Sequence, residues 1–413
     1  MVTKYVLKDP LSLQQTRLDQ LPFTAAPAVW LEPGTHNRKY LRRSPFAHVD
    51  PDEARLFKNL GYAEISYPPV FAASLTNATL VGFRTLLKDD FFLFDEAFVD
   101  PAAASRHIRK LSNADEALNE LTGLHRIDGC DAFGLNRHSG DIVRIEEPTI
   151  MLSSQEPKNY GSFLFRILPK IIVTRYLSKN FKILVSSPYE SMSRLLELCG
   201  IDSSNVVQQD IRKRYQLDQV IVPSVRNPHG FLDEATLGLF DELRAKVTRG
   251  TGTKSNLIFV SRKNLDSTKT GYRVMRNEQE VRSCLEQLGF KVVCPETMTA
   301  DEQVAAFASA SVVVGQSGGA MFNVAFCRPG TIVIDIESEP HWIHAHMSYF
   351  SSLNLRYAIF EAKSIPCSDR SVHLPFNVNV AALRDLILQI PDNLLAEDRY
   401  QTLNQDSPRT LLA

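Results

Sequence analysis

Apolar and polar positions along this chain follow two rhythms. Up to about residue 148 the apolar runs are short and turns interrupt them, as at 64–67, 78–83 and 91–94. Runs of this kind predict a small β-rich unit. Ahead of it, Pro10, Pro22, Pro27, Pro33, Pro45 and Pro51 break up roughly the first 60 residues, which read as an irregular arm over the surface. Between 102 and 121, Ile108, Leu111, Ala114, Leu118 and Leu121 recur at helical spacing. The stretch 123–140, with His125 and His138 among Asp and Gly, predicts a loop.

After Pro148 the pattern lengthens. Residues 159–178 predict a long apolar helix bent by Pro169. A strand at 182–186, a helix at 190–199 closed by Gly200, and strands near Val206 and at 219–222 follow. A helix at 231–247 precedes the polar stretch 249–255, read as a join between domains. The next unit has a strand at 257–260 and a helix from Asn277 with Val281, Leu285 and Leu288 on one face, ended by Gly289. A strand at 291–294, a helix at 301–309, a strand of consecutive valines at 312–314 and a strand at 331–336 complete it. One more helix is expected at 380–390. Alternating strands and helices argue for parallel, doubly wound sheets. The division expected is an N-terminal arm with a β-rich and helical subdomain (1–148), a first Rossmann-like unit (149–250), a second (251–375), and a C-terminal helix and tail (376–413).

The 413 residues allow two or three domains with real cores. A hydrophobic content of 44% and a formal net charge of −1 are ordinary for a globular protein and give no footprint for nucleic acid. The six cysteines lack metal-like spacing, which favours reduced thiols in the cytoplasm. No apolar span is long enough for a membrane helix, and the N-terminus lacks a hydrophobic signal core.

Candidate chemistry gathers where the valine strand ends. Gly315-Gln316-Ser317-Gly318-Gly319 turns the chain from that strand toward a helix. Glycines admit phosphates close to the main chain, and helix N-termini favour anions. Arg262, just past the 257–260 strand, can grip phosphate oxygens through two N–H groups. Arg273 is a second clamp candidate. The hydroxyl of Ser317, Asn323 on the following helix and Glu337 at the next strand end complete the candidate ligand contacts; packing, capping and solvation are their structural alternatives. His229, in a loop between the units, is a candidate base. Asp50-Pro51-Asp52 spells a metal-binding Asp-x-Asp, but the proline and the lack of a preceding strand favour a turn. His341, His344 and His346 crowd one segment and suit the cleft rim better than a metal; no metal site is expected.

Ser261-Arg262, Arg273, Asn277-Glu278, Leu288-Gly289-Phe290, Glu302-Gln303, the corner 315–323 and Pro329-Gly330 occur in an order that resembles the catalytic domain of glycosyltransferase family 61, over roughly 150–340. The resemblance implies an α/β architecture of two Rossmann-like domains facing a cleft (GT-B-like), with a β-rich N-terminal extension. It implies an inverting glycosyltransferase that moves a sugar from a nucleotide-sugar donor, a UDP-sugar, to a glycan or lipid-linked glycan acceptor without a required cofactor. It further implies surface-polysaccharide assembly on the cytoplasmic side, at the inner face of the membrane, and gives Glu302 as a catalytic candidate contacting sugar or ribose hydroxyls. Three departures stand out. Ser317 and Ser162 occupy positions where the family pattern has histidines, and Arg166 occupies an acidic one.

Two other functions fit parts of the sequence. Gly315 to Gly319 also spells the G-x-S-x-G elbow of serine hydrolases, with Ser317 as nucleophile and Asp335 or Asp369 and His373 downstream. The replaced histidines also fit a catalytically inactive nucleotide- or glycan-binding protein.

Overall fold

The computed structural model describes residues 4–97, 123–127, 132–135, 141–177, 181–249, 256–263, 273–368 and 372–401. The helix expected at 102–121, most of the 249–255 join, His138 and Asp369 lie outside the described residues.

The protein is mixed α/β, built on two large sheets. Six strands form the second sheet in the order Lys291–Val293, Asn256–Val260, Ala310–Gln316, Ile332–Glu337, Arg356–Glu361 and Ala47–Val49. Every pairing within it is parallel. A parallel sheet covered on both faces needs strands apolar on both sides. Val313, Val314, Val333 and Ile334 are accordingly fully buried. Helices Glu278–Gln287 and Ala300–Ala308 connect these strands.

The first sheet is mixed. Thr149–Met151 pairs in parallel with Lys182–Val185 and with Arg214–Pro223, and Lys182–Val185 with Val206–Gln208. Arg214–Pro223 then pairs antiparallel with Phe71–Val81, which carries Ala28–Leu31 and Thr85–Lys88 beyond it. The β-rich N-terminal strands thus extend the same sheet as the strands after Pro148.

Three expectations change. The first 60 or so residues are not an irregular arm: Ala28–Leu31 joins the first sheet and Ala47–Val49 closes the edge of the second. Helix Ile343–Ser352 and strand Arg356–Glu361 fill a region where neither was expected. The helix expected at 159–178 does form, but its winding changes from an α turn at Tyr160–Ser162 through a π turn at Phe163–Ile167 to 3-10 at Leu168–Tyr176. Pro169, which lacks an N–H, sits at the start of the last segment.

This helix is held at both ends of its apolar face. Lys170 is buried and donates to Asp95 Oδ2 at 2.5 Å and to the Ser153 carbonyl at 2.7 Å. Asp95, also buried, lies 3.2 Å from Arg84 Nη1. Burial pushes the Asp95 carboxyl up, but Lys170 and Arg84 outweigh it and hold it below its ordinary value. On the other side, Phe165 stacks on Phe322 of the second unit with ring centroids 5.3 Å apart. Phe163, Leu164, Phe322, Phe326 and Tyr349 belong to one continuous core, so the helix and the segments around the second sheet share apolar packing beneath a cleft.

Candidate functional site

That cleft has a volume of about 2090 Å³. One wall comes from residues 156–166 and 188–197, and the other from Arg262, Arg273, the corner at Gly318 and Gly319, Asn323 and His341 to Ser348. The second wall is the carboxyl edge of the parallel strands, where open α/β sheets bind ligands.

At this edge Asn256–Val260 delivers Arg262 beside the glycine corner. A Cβ built on Gly318 would lie 3.2 Å from Arg262 Nη1. Gly318 has φ +149°, a conformation that side chains disfavour. A Cβ on Gly319 would lie 3.8 Å from Asn159 Oδ1 across the cleft. Asn159 caps the helix there, its Oδ1 accepting from the Ser162 N–H at 3.3 Å. Tyr160 Oη donates to Asn323 Oδ1 at 2.9 Å, so the start of the 160–176 helix sits directly against the corner. Gly161 makes that approach possible, because a Cβ there would meet the Phe322 ring at 2.5 Å.

Arg273 is buried behind the corner. Its Nη2 donates to the Ser317 carbonyl at 2.8 Å and pairs with Glu337 Oε1 at 3.2 Å. Glu337 Oε1 also accepts from the N–H groups of Ser338 and Glu339, each at 2.9 Å. Burial raises the Glu337 carboxyl above its ordinary value, with Arg273 opposing. Burial above all holds His373 below its ordinary value, and Arg273, His341 and Arg262 push the same way against Glu339.

Ser317 is fully buried. Its Oγ lies 2.8 Å from His346 Nδ1, and Asp335 Oδ2 lies 3.0 Å from the same nitrogen. A Ser-His-Asp triad places serine and carboxylate on opposite ring nitrogens. Here both face Nδ1, so no proton relay runs from hydroxyl to carboxylate. The turn also lacks the strain of a nucleophile elbow, since Ser317 has no positive φ. This geometry gives the hydrolase alternative no support, and its expected histidine, His373, lies 3.5 Å from Glu339 instead.

Ligand atoms of Asp335, Glu337 and His346 come within 4.8 Å of one another, close enough to hold a cation. The guanidinium of Arg273 already supplies one there. The three crowded histidines do not converge: His344 Nδ1 lies 2.9 Å from Arg42 Nη1, and His346 turns inward to Ser317. Asp50 accepts from the N–H groups of Ala54 and Arg55, which makes the Asp-x-Asp stretch a turn.

The structure brings Arg262, Arg273, Ser317, Gly318, Asn323 and Glu337 together around one corner, and Gly319 beside them. It does not bring Gly315 or Glu302 to the cleft. A Cβ on Gly315 would meet Met321 Sδ at 2.5 Å and Val260 Cβ at 2.9 Å, so this glycine serves packing rather than phosphate approach. Glu302 and Thr299 form a capping box, with Glu302 Oε2 accepting from the Thr299 N–H at 2.8 Å. The carboxylate expected to meet the sugar is spent on its own helix. His229 lies in the turn Pro228–Gly230, and its side chain is outside the described atoms.

Sequence reasoning passed over Glu156 and Trp342, and took Asn159 only as the start of a helix and of a family motif. All three line the cleft, and only the Asn159 cap had a local signal, an Asn directly ahead of an apolar run. No helix among the described residues is long and apolar enough to cross a membrane. No curated protein matches the chain. Residues 160–334, from the helix facing the glycine corner into the strand that ends at Glu337, match the family Glycosyltransferase 61, a match that implies glycosyl transfer between a donor and an acceptor.

Proposed function

We propose that this protein is an inverting glycosyltransferase of two facing Rossmann-like units, taking a nucleotide sugar, a UDP-sugar, as donor and a glycan as acceptor in surface-polysaccharide assembly at the cytoplasmic face of the membrane. The observation that carries the reading is the placement of Arg262 against Gly318 at the carboxyl edge of the parallel sheet, on one wall of a cleft. An in-line transfer needs the leaving diphosphate stabilised as the anomeric carbon–oxygen bond breaks. Arg262 and the glycine corner supply that stabilisation, while Arg273 holds the Ser317 carbonyl and Glu337 so that the corner keeps its shape. The acceptor enters along the opposite wall, formed by residues 156–166 and 188–197.

Titration calorimetry with UDP tests the donor side. Two charge-assisted hydrogen bonds lost in Arg262→Ala, together about 3 kcal/mol, weaken UDP binding roughly 100-fold. Unchanged UDP affinity with the fold intact would remove Arg262 from the site. Binding of UDP by the wild type with no turnover of any nucleotide sugar would instead favour an inactive binder.

A further inference from the structure

The resemblance leaves one step without a residue. Ser162 and Arg166 stand where a histidine and an acid are expected, and Glu302 is occupied as a helix cap. The acceptor hydroxyl still has to lose its proton.

Five carboxylates line the cleft among the described residues: Glu156, Glu190, Glu197, Glu296 and Asp301. Asp301 is bound by Arg194 at 2.8 and 3.2 Å, and Glu197 by the same arginine at 3.2 Å. Glu190 and Glu296 open helical turns, at Glu190–Leu198 and Pro295–Thr297, where they complement the helix N-terminus. Glu156 is placed differently. Ser162 Oγ donates to its Oε2 at 2.7 Å, and Arg166 Nη1 lies 3.8 Å from the same oxygen. Its side chain remains 41% exposed. Its backbone sits at φ +54°, a conformation uncommon for glutamate and concentrated at functional sites. The Glu156 carbonyl accepts from the Asn159 N–H at 2.9 Å, and Asn159 is the residue that reaches Gly319. One short turn therefore links this carboxylate to the corner that holds the donor.

We propose that Glu156 is the general base. The inference rests on the glycosyltransferase reading and deepens it. Ser162 holds Oε2, leaving Oε1 to take the acceptor proton. The acceptor oxygen then forms its bond to the anomeric carbon. The bond from that carbon to the diphosphate oxygen breaks, and its electron pair leaves with the diphosphate toward Arg262. The serine at the histidine position thus positions a carboxylate from a neighbouring turn.

Water can stand in for the acceptor, so hydrolysis of UDP-glucose, UDP-galactose, UDP-N-acetylglucosamine and UDP-xylose is the readout, beside UDP affinity by calorimetry. Glu156→Gln is expected to slow hydrolysis by roughly 10²–10⁴-fold, with UDP affinity and melting temperature unchanged. Glu156→Ala is expected to regain rate when formate is added, which a merely structural residue would not show. Wild-type turnover that Glu156→Gln leaves intact, or an alanine variant that formate does not restore, overturns the assignment alone. A wild type that neither binds UDP nor turns over any of the four donors overturns the glycosyltransferase reading, and the assignment with it.

Discussion

Replacing Asp95 by asparagine keeps its shape and removes one charge from the buried group that anchors the 160–176 helix. Lys170 would then face a neutral amide 2.5 Å away, with Arg84 3.2 Å from the same side chain. Breaking a buried pair from one side costs about 3–5 kcal/mol, because the remaining charge stays desolvated. Arg84 retains Glu96 at 3.1 Å, so most of the cost falls on Lys170, whose remaining hydrogen bond goes to the Ser153 carbonyl. Lys170→Met leaves Asp95 still paired with Arg84, and about 2–3 kcal/mol is expected. The double variant should cost less than the two singles together, by about 1–3 kcal/mol. Calorimetry at neutral pH reads these as melting temperatures, with Asp95→Asn lower by about 3–6 °C for a chain of this length. The sign of the pH dependence follows from the depressed Asp95 value. Its contribution is full above the ordinary carboxylate value and fades as pH falls through the depressed one. The gap between wild type and Asp95→Asn should therefore close in acid. A variant melting within about 1 °C of wild type, or a strictly additive double variant, would refute the reasoning.

Three further outcomes are expected. Gly161→Ala drives a Cβ into Phe322, costing about 1–3 kcal/mol and weakening UDP binding as the helix start leaves the corner; calorimetric melting and UDP titration measure both. Gly318→Ala, strained at φ +149° and pressed on Arg262, should lower UDP affinity at least tenfold while the protein still melts cooperatively; unchanged affinity counts against the corner. A fluorophosphonate should leave Ser317 unlabelled by mass spectrometry, because the hydroxyl is buried and shares Nδ1 of His346 with Asp335. Stoichiometric labelling would revive the hydrolase.

The strands of the second sheet were legible because burial on both faces demands continuous apolar runs, and 312–314 and 332–334 supply them. Arg262 and Gly318 were legible for a related reason: residues just past such strands point to the ligand edge. The helix Ile343–Ser352 was hidden in plain view. Ile343, Met347 and Phe350 repeat at helical spacing and are buried, but three histidines drew the segment toward chemistry instead. Ala28–Leu31 and Ala47–Val49 could not be found locally, since strands of 4 and 3 residues take their stability from distant partners. Gly315 and Glu302 show the converse. Each sits in the expected motif, yet Met321 packs on one and Thr299 engages the other. Glu156 carried no pattern at all, because its meaning arises only when Ser162 closes on it.

The Ala47–Val49 strand has a consequence for how the chain is made. It pairs with Arg356–Glu361, and Arg43 beside it donates to the Ser351 carbonyl, 308 positions later. A ribosome releases the early strand long before its partner exists. Closing that contact is a loop-closure step of very high sequence separation, and such steps are slow. The Ala47–Val49 strand must therefore wait unpaired until residues 356–361 have been made, and a holdase that shields it meanwhile should raise the yield of native protein more than one acting after that pairing.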